Sequence, residues 1–557
     1  MADPGLLLMI QTVVVNDFTG GLNYRADAFQ LADNESPDML NVDVDPRGGF
    51  SSRGAVIDYS TSTIGGISSL GFEPNKLFAW DGAYKHLMIA ANDKVFWTAN
   101  GSVSSSIATT DNPFGASFSP WAVGSSSLVY IACGHSNAGQ KWNGTAATAL
   151  TASATGAWQD SYASPTGTHM PKANLVETHI DRLWVADTNE NGTAYPNRIR
   201  FSHPSFAESW RELDYIDVLG GGNGITALVS FGDQLLIFKK RAVFILSGYD
   251  EETFQLVPIS TEIGAVNPQC VVATEQGVFF FSWPDGLFVF NGTGFTDLFV
   301  SLRPLLRTGE ITETAVNGTF VSWFDRRLFL SIPIGVEPDI QETYDDSAVD
   351  YDESSVKYGG GIRATSPTST FVWDSTIREG GAWTRYVTGD GYAFGPGTDF
   401  IQSDGSRVPV IAHAKKPVLL KTCQEGTCQD KINGTSFAFE AYYYTKWQDA
   451  NATTARKFWR RPEMVVRQTG FNTAIEVNVY HDWNRADVAR SFTVNLDARD
   501  ISGGYNSWVQ PDLGSDLTKG NNLGLANSVQ LKIASQGTGP WGINSISFKY
   551  NPRRVRT

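Results

Sequence analysis

Gln234-Leu-Leu-Ile-Phe238 followed by Arg241-Ala-Val-Phe-Ile-Leu-Ser-Gly248, and then Gly277-Val-Phe-Phe-Phe281 followed by Gly286-Leu-Phe-Val-Phe-Asn-Gly292, is the same sentence written twice. A short apolar run, a tight turn, a second apolar run and a closing glycine recur 44 residues apart. Runs of four to six apolar residues without alternation predict strands covered on both faces. Working outward, the first kind of run recurs as His86-Leu-Met-Ile-Ala90, Leu128-Val-Tyr-Ile-Ala132, Arg182-Leu-Trp-Val-Ala186 and Arg327-Leu-Phe-Leu-Ser331. The second recurs at residues 92–101 and 139–144, with a degenerate copy at 197–202. The closing glycines Gly101, Gly144, Gly248 and Gly292 are spaced by one or two periods of that length. A strand pair every ~45 residues is the spacing of four-stranded propeller blades. We therefore expect an all-β fold, a β-propeller-like array of antiparallel blades, with five or six blades between residues 60 and 335. Phe371-Val-Trp-Asp374 and Val408-Pro-Val-Ile411 are candidates for one more. The competing architecture is a sandwich of meandering hairpins.

Beyond residue 436 the pattern changes to period-2 alternation, as in Phe437-Ala-Phe-Glu-Ala-Tyr-Tyr-Tyr444, Ala474-Ile-Glu-Val-Asn-Val-Tyr480 and Ile543-Asn-Ser-Ile-Ser-Phe-Lys-Tyr550. Together with residues 457–467 and 528–533 this predicts a five-stranded, jelly-roll-like β-sandwich over 436–557. The expected organisation is a strap at 1–60, a propeller at 61–435 interrupted by an acidic insertion at 341–362, and the sandwich. Asn-Gly-Thr recurs at Asn143, Asn191, Asn291, Asn317 and Asn433. It reads either as glycosylation acceptors or as hairpin turns, and the absence of a visible secretory signal favours turns.

The chain carries 43 Lys and Arg against 58 Asp and Glu, a net charge of −15. That excludes a general grip on nucleic acid, which needs cations facing phosphates, while leaving room for an acidic wall past which DNA slides. Four cysteines exclude a disulfide scaffold. Cys133 and Cys270 read as small buried hydrophobes. Cys423 and Cys428 could close a small loop, but two thiols cannot complete a zinc site, so no metal and no cofactor is expected. No apolar run reaches membrane-spanning length. Among the seven histidines none stands in a metalloprotease spacing, and there is no nucleophile elbow or phosphate loop. Ser282-Trp-Pro-Asp285-Gly approaches a sialidase-type turn, but its Asp is one place late and no Trp follows. Asp285-Gly286 is better read as a turn, and no enzymatic activity is expected.

The amino-terminal stretch is the most specific. It runs Phe18-Thr-Gly-Gly21-Leu-Asn, then Leu31-Ala-Asp33-Asn34-Glu35-Ser-Pro-Asp-Met-Leu-Asn41, and closes on Arg47-Gly48-Gly49-Phe-Ser-Ser-Arg53-Gly54. This resembles the amino-terminal signature of bacteriophage tail proteins of the nozzle or tail-tube class of short-tailed phages. The chain is shorter than the larger nozzle proteins. The resemblance implies a virion tail protein, made in the host cytoplasm, that forms a ring of identical subunits, six by analogy. That ring would lie below a tail adapter and beside other tail proteins and fibres. It would conduct viral DNA during ejection without binding it specifically and without inserting into a membrane.

On that reading Asp345, Asp346, Asp350, Asp352 and Glu353 are candidate lumenal or gate residues. Gly20, Gly21, Arg47, Arg53 and the basic tail residues Arg553 and Arg554 are candidate subunit or adapter contacts. Arg47 and Arg53 suit bidentate pairing with carboxylates, either on a neighbour or in Asp33 and Glu35. The bland alternatives are a solvated loop, a local strap and a frayed end. A receptor- or carbohydrate-binding module, with its 16 Trp as stacking platforms, is the alternative function.

Overall fold

The structure is a computed structural model that describes residues 10–27, 30–60, 74–122, 127–151, 168–222, 224–307, 311, 313, 315–334, 367–422, 428–467, 473–496 and 522–552. The apolar runs quoted above become the second and third strands of four-stranded antiparallel sheets, of which there are seven among the described residues. In the fourth blade Gln234–Lys239 pairs with Ala242–Ser247, and in the fifth Gly277–Ser282 pairs with Gly286–Phe290. The second strand of the fifth blade is buried along its whole length, as a strand covered on both faces must be.

The first strand of each blade lies innermost. In ring order these are Pro74–Asp81, Ser117–Trp121, Lys172–His179, Ile225–Phe231, Val271–Thr274, Phe320–Phe324 and Phe394–Ile401. Neighbouring blades are joined by apolar layers. Trp80 and Met88 of the first blade meet Phe118 and Trp142 of the second. Tyr130 meets Leu183, Leu175 meets Leu235, and Phe238 meets Phe280 in the layers that follow. Phe279 stacks on Trp323, with ring centroids 5.5 Å apart, between the fifth and sixth blades. Phe324 of the sixth lies so close to Gly397 of the seventh that a Cβ there would sit 2.4 Å from the ring. Leu77 and Ile89 then meet Phe400 and Val410, which closes the circle from the seventh blade to the first. Each such fully buried side chain contributes roughly 1.5–3 kcal/mol.

There are seven blades: five lie between residues 60 and 335, the sixth begins there, and the two candidate runs beyond supply strands to the sixth and the seventh. Phe371–Asp374 lies in Ser369–Asp374, the third strand of the sixth, separated from the second strand Arg327–Ile332 by the insertion that breaks the period. Val408–Ile411 lies in Arg407–His413 of the seventh blade. The fourth strand of that blade comes from the other end of the chain, Val56–Asp58, with Tyr59 N–H donating to Leu419 O at 2.8 Å.

The chain divides into two compact units, one of residues 58–370 and 392–421 and the other of residues 1–57, 371–391 and 422–557. The second unit is a sandwich. One sheet runs in the order Gly524–Ala526, Lys457–Trp459, Gly542–Pro552, Phe50–Ser52, Val42–Val44, with Gln11–Val15 and Glu463–Arg467 also paired to the long final strand. The other runs Met39–Leu40, Tyr442–Tyr444, Val529–Ser535, Thr473–His481, Arg490–Leu496. Phe50 of one sheet stacks on Tyr443 of the other at 4.3 Å, and Phe18 meets both rings edge-on. Residues 10–57, expected as a strap, thus supply strands to both sheets of the sandwich. The stretch 457–467, expected as one strand, is two strands, because Pro462 has no N–H to give to the ladder.

Four of the five Asn-Gly-Thr triplets are turns. Asn191 and Gly192, with φ of 52° and 84°, and Asn433 and Gly434, with φ of 52° and 76°, are the left-handed pairs of two-residue hairpins. Asn143 and Asn291 cap their turns instead, each side-chain oxygen accepting from the backbone two and three residues on. Asn317 is the exception and lies in the 3₁₀ turn Ala315–Gly318.

Candidate interaction sites

The candidate contacts in the amino-terminal stretch belong to the sandwich unit. Gly20 and Gly21 are required by close approach. A Cβ on Gly20 would sit 2.5 Å from Asn34 O, and one on Gly21, whose φ is +66°, 2.7 Å from Trp383 O. Both arginines pair with carboxylates, but not with Asp33 or Glu35. Asp33 instead accepts from Lys446 Nζ at 3.1 Å, and Glu35 Oε2 accepts from Ala32 N–H at 3.0 Å.

Arg53 is 4 % exposed and holds Asp430 through two hydrogen bonds of 3.0 and 2.6 Å. Its remaining donors reach Asn41 Oδ1, Gly54 O and Val387 O, and its guanidinium lies 3.8 Å from the centroid of the Phe439 ring. Asp430 also accepts from Val56 N–H and Gly389 N–H. Every strong donor and acceptor of this pair is thus engaged inside the unit, so Arg53 is a core residue and offers no group to a partner. Asp430 carried a signal in the sequence: it sits between Cys428 and Ile432 in an alternating row, and a carboxylate among inward-facing positions implies a buried cation.

Arg47 is different, with its side chain 72 % exposed. It donates to Asp45, as does Arg467 at 2.6 Å, and the Arg47 hydrogen bonds above all hold the Asp45 carboxyl far below the usual carboxylate range. These residues line an open cleft of about 430 Å³ with Asp43, Val44, Pro46 and Ser51. Asp345, Asp346, Asp350, Asp352 and Glu353, and the tail residues Arg553 and Arg554, lie outside the described residues.

Two further features had no motif to announce them. The first is at the propeller axis. Gln269, just before the innermost strand of the fifth blade, donates to Asn75 O at 2.8 Å and to Phe114 O at 2.9 Å. Those carbonyls belong to the first blade and to the entry of the second, across the ring, so one glutamine amide bridges the mouth of the axial space. Lys76 and Glu177 interact there from the first and third blades, which are not neighbours. Burial pushes the Glu177 carboxyl up to about 7, against the pull of Ser230 N–H and Lys76. Burial likewise lowers the Lys76 ammonium.

The second feature is the outer face of the third and fourth blades. Leu213, Leu219 and Tyr249 are 80 %, 76 % and 68 % exposed, the highest values for large apolar side chains among the described residues.

Nothing in the described residues gathers three or more His, Cys, Asp or Glu side chains into a metal-binding group. Burial pushes the Cys133 thiol up to about 12 and raises that of Cys270 as well, so neither is a ready nucleophile. Asp285 and Gly286 form the hairpin link between two strands of the fifth blade. Among the described residues no helix is long and apolar enough to cross a membrane.

No family model matches this sequence, and no curated protein matches it. Among solved structures the chain is similar to the extracellular domain of the putative one-component system BT4673 from B. thetaiotaomicron. That match has 9% identity and a TM-score of 0.36, covers 73% of this chain and spans 43% of the length of that one. It is also similar to BBS1N, solved in complex with ARL6DN, at 10% identity and a TM-score of 0.38, over 66% of this chain and 97% of that one. YCF48 from Cyanidioschyzon merolae matches at 11% identity and a TM-score of 0.34, over 66% and 98%.

Proposed function

We propose that this chain is a structural subunit of a phage tail, of the nozzle or tail-tube class, and that copies of it close into a ring, six by resemblance, around a passage for DNA. The observation that carries the reading is the 37-residue segment from Phe18 to Gly54. Gly20, Gly21, Gly48 and Gly49 sit at close approaches and Arg53 at a buried carboxylate, so the segment follows a precise local plan rather than a loose turn-rich composition.

Two further observations support a passage between copies rather than through one. The axial space of the propeller is bridged by Gln269. The chain's net charge of −15 suits a wall that repels DNA phosphates. The carbohydrate-binding alternative needs open indole faces. Trp80, Trp121, Trp142, Trp184, Trp210, Trp459 and Trp541 are all buried, and none of the described tryptophans is exposed.

Electron microscopy of the purified protein and of intact particles tests the reading. A closed ring with an axial channel, found in the tail, is the expected result. A monomer at all concentrations, absent from any tubular assembly, overturns it.

A further inference from the structure

We infer that the glycine loop between the third and fourth blades, together with the basic turn on which it packs, binds a phosphate group, whether or not copies of the chain close into a ring.

Three cations stand in a row at the end of the second strand of the fourth blade. Lys239 is 0 % exposed, and its ammonium is held by neutral oxygens, Val218 O at 2.6 Å, Gly220 O at 2.7 Å and Asn197 Oδ1 at 2.9 Å. Burial lowers that ammonium, and no carboxylate offsets the effect. Lys240 and Arg241 form the exposed turn into the third strand, Ala242–Ser247. Among the described residues none of the three stands in an ion pair. The nearest carboxylate along the chain on the loop side, Asp217, is taken by Arg198 through hydrogen bonds of 2.8 and 3.0 Å. Glu262, exposed on the link that leaves the blade, pairs with none of them. Glu212, Asp250 and Glu252 lie beyond the far ends of the strands that the loop and the turn adjoin. A buried charge offset by dipoles alone is costly, and two further cations beside it leave this end of the blade with a field that attracts an anion.

The loop supplies the donors. Gly220, Gly221 and Gly222 follow one another at φ of +89°, +71° and +80°, a run that glycine alone adopts readily. Gly221 packs on the turn, since a Cβ there would lie 2.5 Å from that of Ala242, the residue after Arg241. At Gly220 and Gly222 a Cβ would meet nothing within 4 Å, so backbone conformation and not packing asks for glycine, and the space over the loop stays open. Lys239 sets the direction of the peptide groups. Val218 O and Gly220 O point in to its ammonium, so across trans peptides the N–H groups of Leu219 and Gly221 point out. Neither N–H has an acceptor among the described residues. Outward N–H groups beside an ammonium and a guanidinium suit an oxyanion with several acceptor oxygens and more than one charge, which describes a phosphate group better than a carboxylate.

The test is the binding of inorganic phosphate to the full chain, followed by phosphorus NMR line broadening, with chloride at equal ionic strength as the control. Lys240→Glu with Arg241→Glu should weaken binding at least about tenfold. Both side chains are exposed, so an unchanged melting temperature is expected and serves as the folding control. In the wild type, phosphate should also slow hydrogen exchange across residues 219–222, which diffuse attraction to surface charge would not do. A short DNA duplex that binds with the same dependence on Lys240 and Arg241 would make a polymer backbone the source of the phosphate, and binding of inorganic phosphate alone would make it a free ion. Binding of neither, or binding that the double substitution leaves unchanged, overturns the inference.

Discussion

Replacing Arg53 by Met separates a structural role for the amino-terminal motif from a partner-binding one. The side chains of Arg53 and Asp430 are 3 % and 0 % exposed, so the substitution leaves a carboxylate buried with only the Val56 and Gly389 amides to stabilise its charge. Breaking such a pair from one side costs about 3–5 kcal/mol, because the penalty is an uncompensated buried charge and not the worth of the pair. Arg47→Ala is the natural contrast. Arg47 pairs with Asp45 at 2.9 Å but with its side chain 72 % exposed, a geometry worth about 0–1 kcal/mol.

The assay is urea denaturation of the full chain, following the sandwich transition separately, since a chain of two units need not unfold in one step. The Arg53→Met loss should be nearly the same at low and high salt, because no solvent ions reach the pair, whereas any Arg47→Ala loss should shrink with salt. A cycle with Asp430→Asn should show coupling of about 1–3 kcal/mol. The reasoning fails if Arg53→Met costs less than about 1 kcal/mol, below the range for a buried pair. It fails equally if the variant melts like the wild type and loses only assembly, which would return Arg53 to a partner.

Two other expectations follow from single side chains. Glu177 is raised by burial from 4.5 to about 7, so between those values the folded chain holds this proton more tightly than the unfolded one and stability falls as pH rises. Glu177→Gln should therefore gain on the wild type between about pH 5 and pH 8, by at most about 3 kcal/mol, and an equal difference at both pH values in chemical denaturation would sink the assignment. Gly21→Ala adds a 2.7 Å approach to Trp383 O to the strain of φ +66°, while Gly434→Ala, at φ +76° in the same unit, meets nothing within 4 Å. Gly434→Ala should cost about 1–2 kcal/mol and Gly21→Ala distinctly more; equal losses in thermal melts would show that backbone conformation alone sets the demand for glycine at position 21.

The parts of the fold that could be read in the sequence are those whose determinants are local. The paired apolar runs of the second and third strands are continuous because both faces are covered, and they mark the blades wherever the chain keeps its period. First and fourth strands are half-open and mixed, so Tyr215–Asp217 and Gln255–Ser260 left little trace. The end of the sixth blade and the whole of the seventh left only single candidate runs, because the determinant there is not local. An insertion splits the sixth blade, and the seventh is finished by residues more than 300 positions away. The arginines were recognised as carboxylate partners from their chemistry, but the choice of Asp430 over Asp33 is made by tertiary packing. Only the alternation around Asp430 hinted at it. Gln269, Lys76 and Glu177 meet because a ring brings distant strands to one axis, and no spacing along the chain encodes that.

The bridged axis bears directly on where a DNA passage must lie. A single amide spans from the fifth blade to the first with hydrogen bonds of 2.8 and 2.9 Å, so the innermost strands at that mouth stand within one side chain's reach of each other. No duplex passes such a gap, and opening it would separate apolar layers such as that of Leu77, Ile89 and Phe400, in which each buried side chain is worth roughly 1.5–3 kcal/mol. The propeller is therefore a rigid brick. If copies of it surround DNA, the channel diameter is set by their number and by the surfaces through which they touch. The outer edges of the blades, where Leu213, Leu219 and Tyr249 stand exposed, then bear on the channel more directly than anything at the propeller's own centre.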